Sequence, residues 1–375
     1  MKSGRIYIHI PFCQKACTYC NFHFTTRTDL INAYVQALVS EIHQRSHTLA
    51  AEIQSVYFGG GTPSLLNPNQ LNVILKTLTG YAKLTPDTEI TLEINPEDTN
   101  QERVVQWLDL GINRFSVGVQ SLDEAELAWM GRIHTINKTY KLLELFYKNN
   151  VKNYNLDLIF GSGKSSLEQW NIQLKNWTAF NAPHISAYQL TVEPKTILAN
   201  RVKNRLYHPP NEEILAEFFI QTHDTLTQAG YHHYEISNYA KPGFEASHNA
   251  AYWRSEAYIG LGPSAHSFNG ISSRRVNLPG VASYIKNAAM QVYQHENEVL
   301  NENELFNEKI LTRLRTREGL QWEEIRINFG TQALNNLKEA LVKWKSYLEY
   351  DEPGVRLNLR GMLISDAICR DLFRT

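Results

Sequence analysis

The chain lacks the features that would send it to a membrane, to nucleic acid or out of the cell. No run of about 18 apolar residues occurs in its 375 residues, so nothing in it reads as a membrane span. Peripheral membrane contact stays open. The 37 Lys and Arg are offset by 38 Asp and Glu, a formal net charge of −1. No global basic field therefore exists to draw nucleic acid or acidic lipid. The opening Met1 to Arg5 leads into Ile6 to Ile10, too short and too alternating for a signal peptide. Cysteine is scarce, four in all, and three of the four are too close together to pair as a disulfide framework. The expectation is a cytoplasmic protein whose thiols stay reduced.

What is present is concentrated. Cys13, Cys17 and Cys20 fall in a C-x3-C-x2-C array directly after an alternating apolar run. Thiolates select zinc, copper or iron–sulfur clusters, and four-cysteine frameworks need one more thiol nearby. None is near in sequence. Three clustered cysteines in a polar loop do not read as small buried hydrophobes. Zinc is the rival, with His23 as a fourth ligand. The preferred reading is a cubane cluster held by three cysteines, which leaves one iron open to a small molecule. A loop after a strand is also where a parallel α/β barrel places its active site.

Strand-like and helix-like segments alternate through the first 230 residues. Apolar, β-rich runs mark strands at 5–10, 54–59, 89–94, 114–119, 154–160 and 184–191. Helical spacing fills 30–45, 68–80, 100–109, 137–149, 166–178 and 211–229, with Gly111, Gly161 and Gly230 as stops. Six such repeats imply a parallel sheet with right-handed crossovers. They are too few for a closed eight-stranded barrel. The fold expected is α/β: a partial, TIM-like (β/α)6 barrel over 1–235, a loop-rich connector over 236–300, and a mostly helical, winged-helix-like unit over 301–375. Within that last unit helices are expected at 321–329, 332–346 and from 365, with a hairpin turning at Asp351 to Gly354. It is expected to pack as a lid over the barrel's open side or to offer a partner surface.

Polar residues punctuate the strand ends. Gly59-Gly60-Gly61-Thr62 closes the second strand, and three glycines let backbone approach a ligand closely. Glu93, Gln120 and Asp157 sit on or beside strands three, four and five. Polar side chains on strands covered on both faces are costly unless partnered, so their repetition points to a shared polar ligand or to an internal network. Carboxylates and an amide suit ribose hydroxyls and an ammonium.

Together these motifs resemble the radical S-adenosylmethionine (SAM) superfamily. Within it they are similar to the oxygen-independent coproporphyrinogen dehydrogenases and their haem-chaperone relatives of the HemW type. The resemblance rests on Tyr7-x-His-Ile-Pro-Phe-Cys13, Gly59-Gly-Gly-Thr-Pro-Ser64, Glu93-x-Asn-Pro96, Arg114-x-Ser-x-Gly-x-Gln120 and Gly260-Leu-Gly-Pro-Ser-Ala265, in that order. It implies that Cys13, Cys17 and Cys20 hold a [4Fe–4S] cluster whose fourth iron is chelated by SAM. It implies that Tyr7, Tyr19, Gly60, Gly61, Thr62, Glu93, Gln120, Arg132 and Asp157 surround SAM, with Arg132 on the methionine carboxylate.

Two departures choose a branch. The dehydrogenases carry a further cysteine two residues after the third, where this chain has Phe22, and they have a longer N-terminal segment. The haem-chaperone branch has an aromatic there and a His-Asn-x-x-Tyr-Trp segment, which reads His248-Asn249-Ala-Ala-Tyr252-Trp253 here. His248 is thus the expected haem ligand, since histidine ligates haem iron and aromatics offer flat apolar surface; His232 and His233 are further candidates. The expected function is haem binding and delivery to haem proteins, the cluster and SAM being structural or regulatory, with a homodimer possible. As an enzyme it would be a coproporphyrinogen III dehydrogenase-like oxidoreductase fed by flavodoxin or ferredoxin, forming a 5′-deoxyadenosyl radical. A third class, duplex binding by the winged tail, lacks a net basic face, because Glu339, Glu349, Asp351 and Glu352 offset Lys338, Lys343 and Lys345.

Overall fold

The computed structural model describes residues 2–374. Six parallel strands carry the chain: β1 (Arg5–Ile10), β2 (Glu52–Gly60), β3 (Lys83–Ile94), β4 (Arg114–Gln120), β5 (Tyr154–Phe160) and β6 (His184–Gln189). They lie side by side in chain order. The crossovers contain α1 (Ile31–Arg45), α2 (Pro68–Thr79), α3 (Gln101–Asp109), α4 (Glu124–Met130), α5 (Ile136–Lys148) and α6 (Leu167–Ala179). After β6 come α7 (Ile197–Lys203) and α8 (Glu212–Gln228). The predicted strands and main helices agree to within a few residues at their ends; α4 and α7, at seven residues each, gave too short a periodicity to read.

The segment expected to be a loop-rich connector is corrected by the structure. Its first part is built into the sheet. β7 (His232–Glu235) and β8 (Asn238–Ala240) extend the β6 edge in antiparallel fashion. Helix α9 (Ser247–Trp253) follows, and β9 (Ile259–Leu261) pairs parallel to β1 at the opposite edge. The sheet therefore has nine strands, in the order β7-β8-β6-β5-β4-β3-β2-β1-β9. Strands of three or four residues carry too little alternation to be seen in sequence. Residues 266–268, 273–277 and 295–299 then form a separate antiparallel sheet.

One alternation explains both the packing and the site. Along each parallel strand, one set of side chains is apolar and buried against the helices: Ile6, Ile8 and Ile10, then Val56 and Phe58, Ile90 and Leu92, Phe115 and Val117, Leu156 and Leu158. Each is worth about 1.5–3 kcal/mol on burial. The intervening set faces inward and is polar: Tyr57, Glu93, Arg114 and Ser116, Asn155 and Asp157, His184 and Ser186. Outward apolar residues hold the sheet, and inward polar ones line a cavity.

The C-terminal unit has its own apolar core, including Phe306, Ile310, Leu337, Leu341, Val355 and Ile368. The hairpin 348–351/354–357 lies as expected and gains a third strand from Leu320–Gln321. The two helices expected at 321–329 and 332–346 are both present within Trp322–Leu341, separated by the non-helical backbone of Gly330 (φ 85°), and the second ends at Leu341 in a 3-10 turn. The unit docks on the β7 edge, where Arg317 N–H donates to Tyr234 O at 2.9 Å. It covers no part of the cavity, whose lining ends at Asn249 among the described residues. No helix among them is long and apolar enough to cross a membrane.

Candidate functional site

The loop that follows β1 is fixed at both ends and in the middle. Cys13 N–H donates to Thr25 O (3.0 Å), Thr25 N–H to Pro11 O (2.7 Å) and Thr18 N–H to Met130 O at the end of α4 (2.9 Å). Leu198 N–H on α7 in turn donates to Thr18 O (2.8 Å). The loop presents three half-buried, unpaired cysteines, Cys13, Cys17 and Cys20, to one cavity of about 640 Å³. Burial pushes the Cys13 thiol up to about 11 and raises that of Cys20 as well. Metal binding there would release protons.

No three His, Cys, Asp or Glu side chains among the described residues converge on a single metal-ion position. A tetrahedral zinc would need all its thiolates about 2.3 Å from one point. His23, the fourth zinc ligand weighed from sequence, accepts from Gly280 N–H through Nε2 at 3.1 Å.

A continuous relay of side chains backs the cysteines. Thr62 Oγ1 donates to Cys13 Sγ (3.7 Å), Asn95 Nδ2 to Thr62 Oγ1 (3.3 Å), Arg132 Nη2 to Asn95 Oδ1 (2.5 Å) and to Gly118 O (2.8 Å), and Arg132 Nη1 to Cys17 Sγ (3.6 Å). Arg132 reaches this place because α4 ends on Gly131 in the left-handed conformation (φ 83°). Gln120 also has a positive φ (70°), at a bulge where β4 shifts register against β5. Such strain costs roughly 1–3 kcal/mol and re-aims a side chain; here it turns Gln120 into the cavity.

The glycine turn works by close approach. A Cβ on Gly61 would meet Phe12 O at 2.6 Å and Ile10 O at 2.9 Å, and one on Gly60 (φ +115°) would meet the His9 ring at 2.5 Å. Glu93 accepts from Gly60 N–H (3.0 Å) and Tyr57 O–H (2.8 Å), and burial raises its carboxyl to about 7. Asp157 accepts from Ser116 Oγ (2.9 Å) and Asn155 Nδ2 (2.8 Å), with its carboxyl also raised by burial.

The comparisons with known proteins agree with this geometry. Residues 7–171 match the model of the Radical SAM superfamily. The chain is 36% identical to the heme chaperone HemW of Synechocystis sp. over 85% of its own length and 79% of the relative's. It is 32% identical to the heme chaperone HemW of Bacillus subtilis over 98% of both chains. The chain belongs to the HemW family of radical SAM proteins. Its fold is that of the solved coproporphyrinogen III oxidase (HemN) from Escherichia coli, at a TM-score of 0.84 and 22% identity, covering 98% of this chain and 89% of that one.

Of the nine residues expected around SAM in this HemW-family chain, eight line the cavity: Tyr19, Gly60, Gly61, Thr62, Glu93, Gln120, Arg132 and Asp157. Their donor set, two carboxylates, an amide, a hydroxyl, a guanidinium and a ring, fits an adenosyl sulfonium with its ammonium and carboxylate. The ninth, Tyr7, lies one layer away, stacked on Tyr57 (ring centroids 6.1 Å) and hydrogen-bonded to His9 Nδ1 (3.0 Å).

His248, the expected haem ligand, is not among the residues that line the cavity. His248 is buried on α9, its Nδ1 bonded to Ser55 Oγ (2.8 Å) and its Nε2 to Tyr252 Oη (2.9 Å). Tyr57 stacks on its ring, and Glu89 caps the helix at Ser247 and His248 N–H. Both nitrogens are engaged, so an iron reaches His248 only if α9 leaves the sheet. His233 is likewise buried, against Tyr239 and His223; His232 is exposed.

Sequence reasoning passed over Asn95 as a positioning residue, and Arg114 and His184 as lining residues. Their signal was the same period-two polarity that marked Asp157.

Proposed function

We propose that this chain is a haem chaperone, binding haem and handing it to haem-dependent proteins while holding a [4Fe–4S] cluster and SAM. The identity to HemW-named relatives over nearly the whole chain carries the reading. Phe22 supports it: it stands where the dehydrogenases have a cysteine, is 65% exposed and lines the cavity with Phe24, Ile133 and Leu190. That rim offers apolar surface to a macrocycle.

In this reading Cys13, Cys17 and Cys20 hold the cluster, and Thr62 and Arg132 donate to two of its thiolates. Arg132 faces the methionine carboxylate, while Glu93 fixes the Gly60 amide beside the ammonium. Gln120 and Asp157 serve the ribose end. A bound cluster supplies one-electron chemistry and an open iron site. A flavodoxin or ferredoxin is the proposed electron donor, and a homodimer the proposed assembly.

The test is a pair of anaerobic assays on the reconstituted protein. Haem transfer to an apo-haem protein is expected. Incubation with coproporphyrinogen III, SAM and reductant is expected to leave the substrate unchanged. Turnover to protoporphyrinogen without haem transfer would replace the chaperone by the dehydrogenase.

A further inference from the structure

At the floor of the cavity, below the cysteine loop, stands a cation that the mechanism above does not use. Arg114 opens β4, is 1% exposed, and lines the cavity. Its Nε has no hydrogen-bond partner, and its charge is felt by the Asp157 carboxyl, which it pulls down against the upward push of burial. A buried guanidinium with an unsatisfied N–H is expensive to maintain in a fold. Two carboxylates of the same cavity take their hydrogen bonds from other groups. Asp157 is occupied by Ser116 and Asn155, and Glu93 by Tyr57 and Gly60.

A second unpartnered atom lies on the same floor. His184 opens β6, is 1% exposed and lines the cavity too. Tyr234 Oη accepts from Ala246 N–H (3.4 Å) and shares a hydrogen bond with His184 Nε2 at 2.7 Å. An imidazole that accepts at Nε2 carries its proton on Nδ1, and Nδ1 has no partner. Burial and the nearby Arg114 charge lower the His184 pKa well below its ordinary value, so the ring stays neutral. Arg114 and His184 thus line the same cavity, close enough for the Arg114 charge to reach the imidazole, and each keeps one nitrogen without a hydrogen-bond partner.

We propose that Arg114 and His184 form a carboxylate-binding subsite at the cavity floor, distinct from Arg132 at the cysteine loop. The planar fork of Arg114 matches the two oxygens of a carboxylate, and the His184 Nδ1–H adds a neutral donor. Of the ligands of the proposed function, haem carries such a group, through its propionates, whereas the methionine carboxylate of SAM is already assigned to Arg132. The inference rests on that function only for the choice of probes.

The experiment measures binding of haem against haem dimethyl ester, and of SAM against decarboxylated SAM, to the cluster-loaded wild-type chain and to Arg114→Gln and Arg114→Lys. A charge-assisted carboxylate contact predicts that wild type prefers haem over its dimethyl ester by about ten-fold or more, while the SAM pair serves as the control that reads Arg132. Arg114→Gln is expected to erase that preference while the carboxylate-free partner binds as before; Arg114→Lys is expected to keep part of it. Loss confined to the haem pair assigns the floor to a propionate; loss in the SAM pair would overturn a subsite distinct from that of Arg132. Folded variants that discriminate as wild type does in both pairs overturn the subsite. If Arg114→Gln fails to fold, Arg114→Lys and His184→Asn decide by the same ratios. Wild type that binds neither haem nor SAM would instead defeat the proposed function, a result visible without any variant.

Discussion

Replacing Asn95 by Leu tests whether the relay behind the cysteines is one unit. Asn95 Oδ1 takes the shortest contact of Arg132 (2.5 Å), and its Nδ2 holds Thr62 Oγ1 (3.3 Å). Leucine has similar volume, so the cavity term is small. The lost hydrogen bond to a charged group costs about 1.5–3 kcal/mol and the neutral one about 1 kcal/mol. Arg132 keeps Gly118 O and Cys17 Sγ, with Nε already unpartnered. The expected sum is about 3 kcal/mol of lost stability, read as a lower urea midpoint at unchanged slope. A second readout separates this from generic damage. With Thr62 and Arg132 loosened, fewer donors reach the sulfurs of Cys13 and Cys17, so the potential of a reconstituted cluster should move to more negative values. An anaerobic, EPR-monitored redox titration measures it. A midpoint within about 0.5 kcal/mol of wild type together with an unmoved potential would refute the relay.

Other outcomes follow from single residues. Gly61→Ala should destabilise the chain by about 2–3 kcal/mol and abolish SAM binding, because its Cβ meets backbone at Phe12 and Ile10; a variant that binds SAM normally would show that the turn tolerates a side chain. Burial holds the His248 imidazole down to about 3 from its ordinary 6.5. A lowered histidine pKa means that the unfolded chain takes up the proton first, so stability falls as pH drops below 6.5. His248 alone should contribute about 2 kcal/mol of that loss between pH 7 and pH 5. Urea midpoints for wild type and His248→Gln across that range check it: the variant should show the shallower acid slope, and equal slopes would mean that the ring is not held neutral. If haem nonetheless ligates His248, hydrogen exchange across 247–253 must speed up on haem addition. Protection that stays constant there with haem bound would place the iron ligand elsewhere.

Much of this was legible in the chain for one physical reason. A strand covered by helices on one side and facing a ligand cavity on the other alternates apolar and polar residues. Arg114-Phe-Ser-Val-Gly-Val-Gln120 and Asn155-Leu-Asp-Leu158 show it without any structure. The same alternation in His184-Ile-Ser-Ala187 was read only as a strand. The edge strands β7, β8 and β9 were missed because three or four residues form a sheet edge through long-range pairing that no local pattern announces. The surroundings of His248 were also hidden from the sequence: its contacts with Ser55, Tyr57 and Tyr252 join α9 to the sheet and only the fold brings them together.

The account stands on three thiolates that share a cluster and leave one iron to SAM. Anaerobic reconstitution, followed by iron, sulfide and zinc analysis of wild type and of the Cys13, Cys17 and Cys20 to Ala variants, measures this directly. The prediction is about four irons and four sulfides per chain, with an EPR signal of the reduced cluster that changes on SAM addition, and loss of the cluster in each variant. One zinc per chain with no sulfide, or an EPR signal indifferent to SAM, would contradict it.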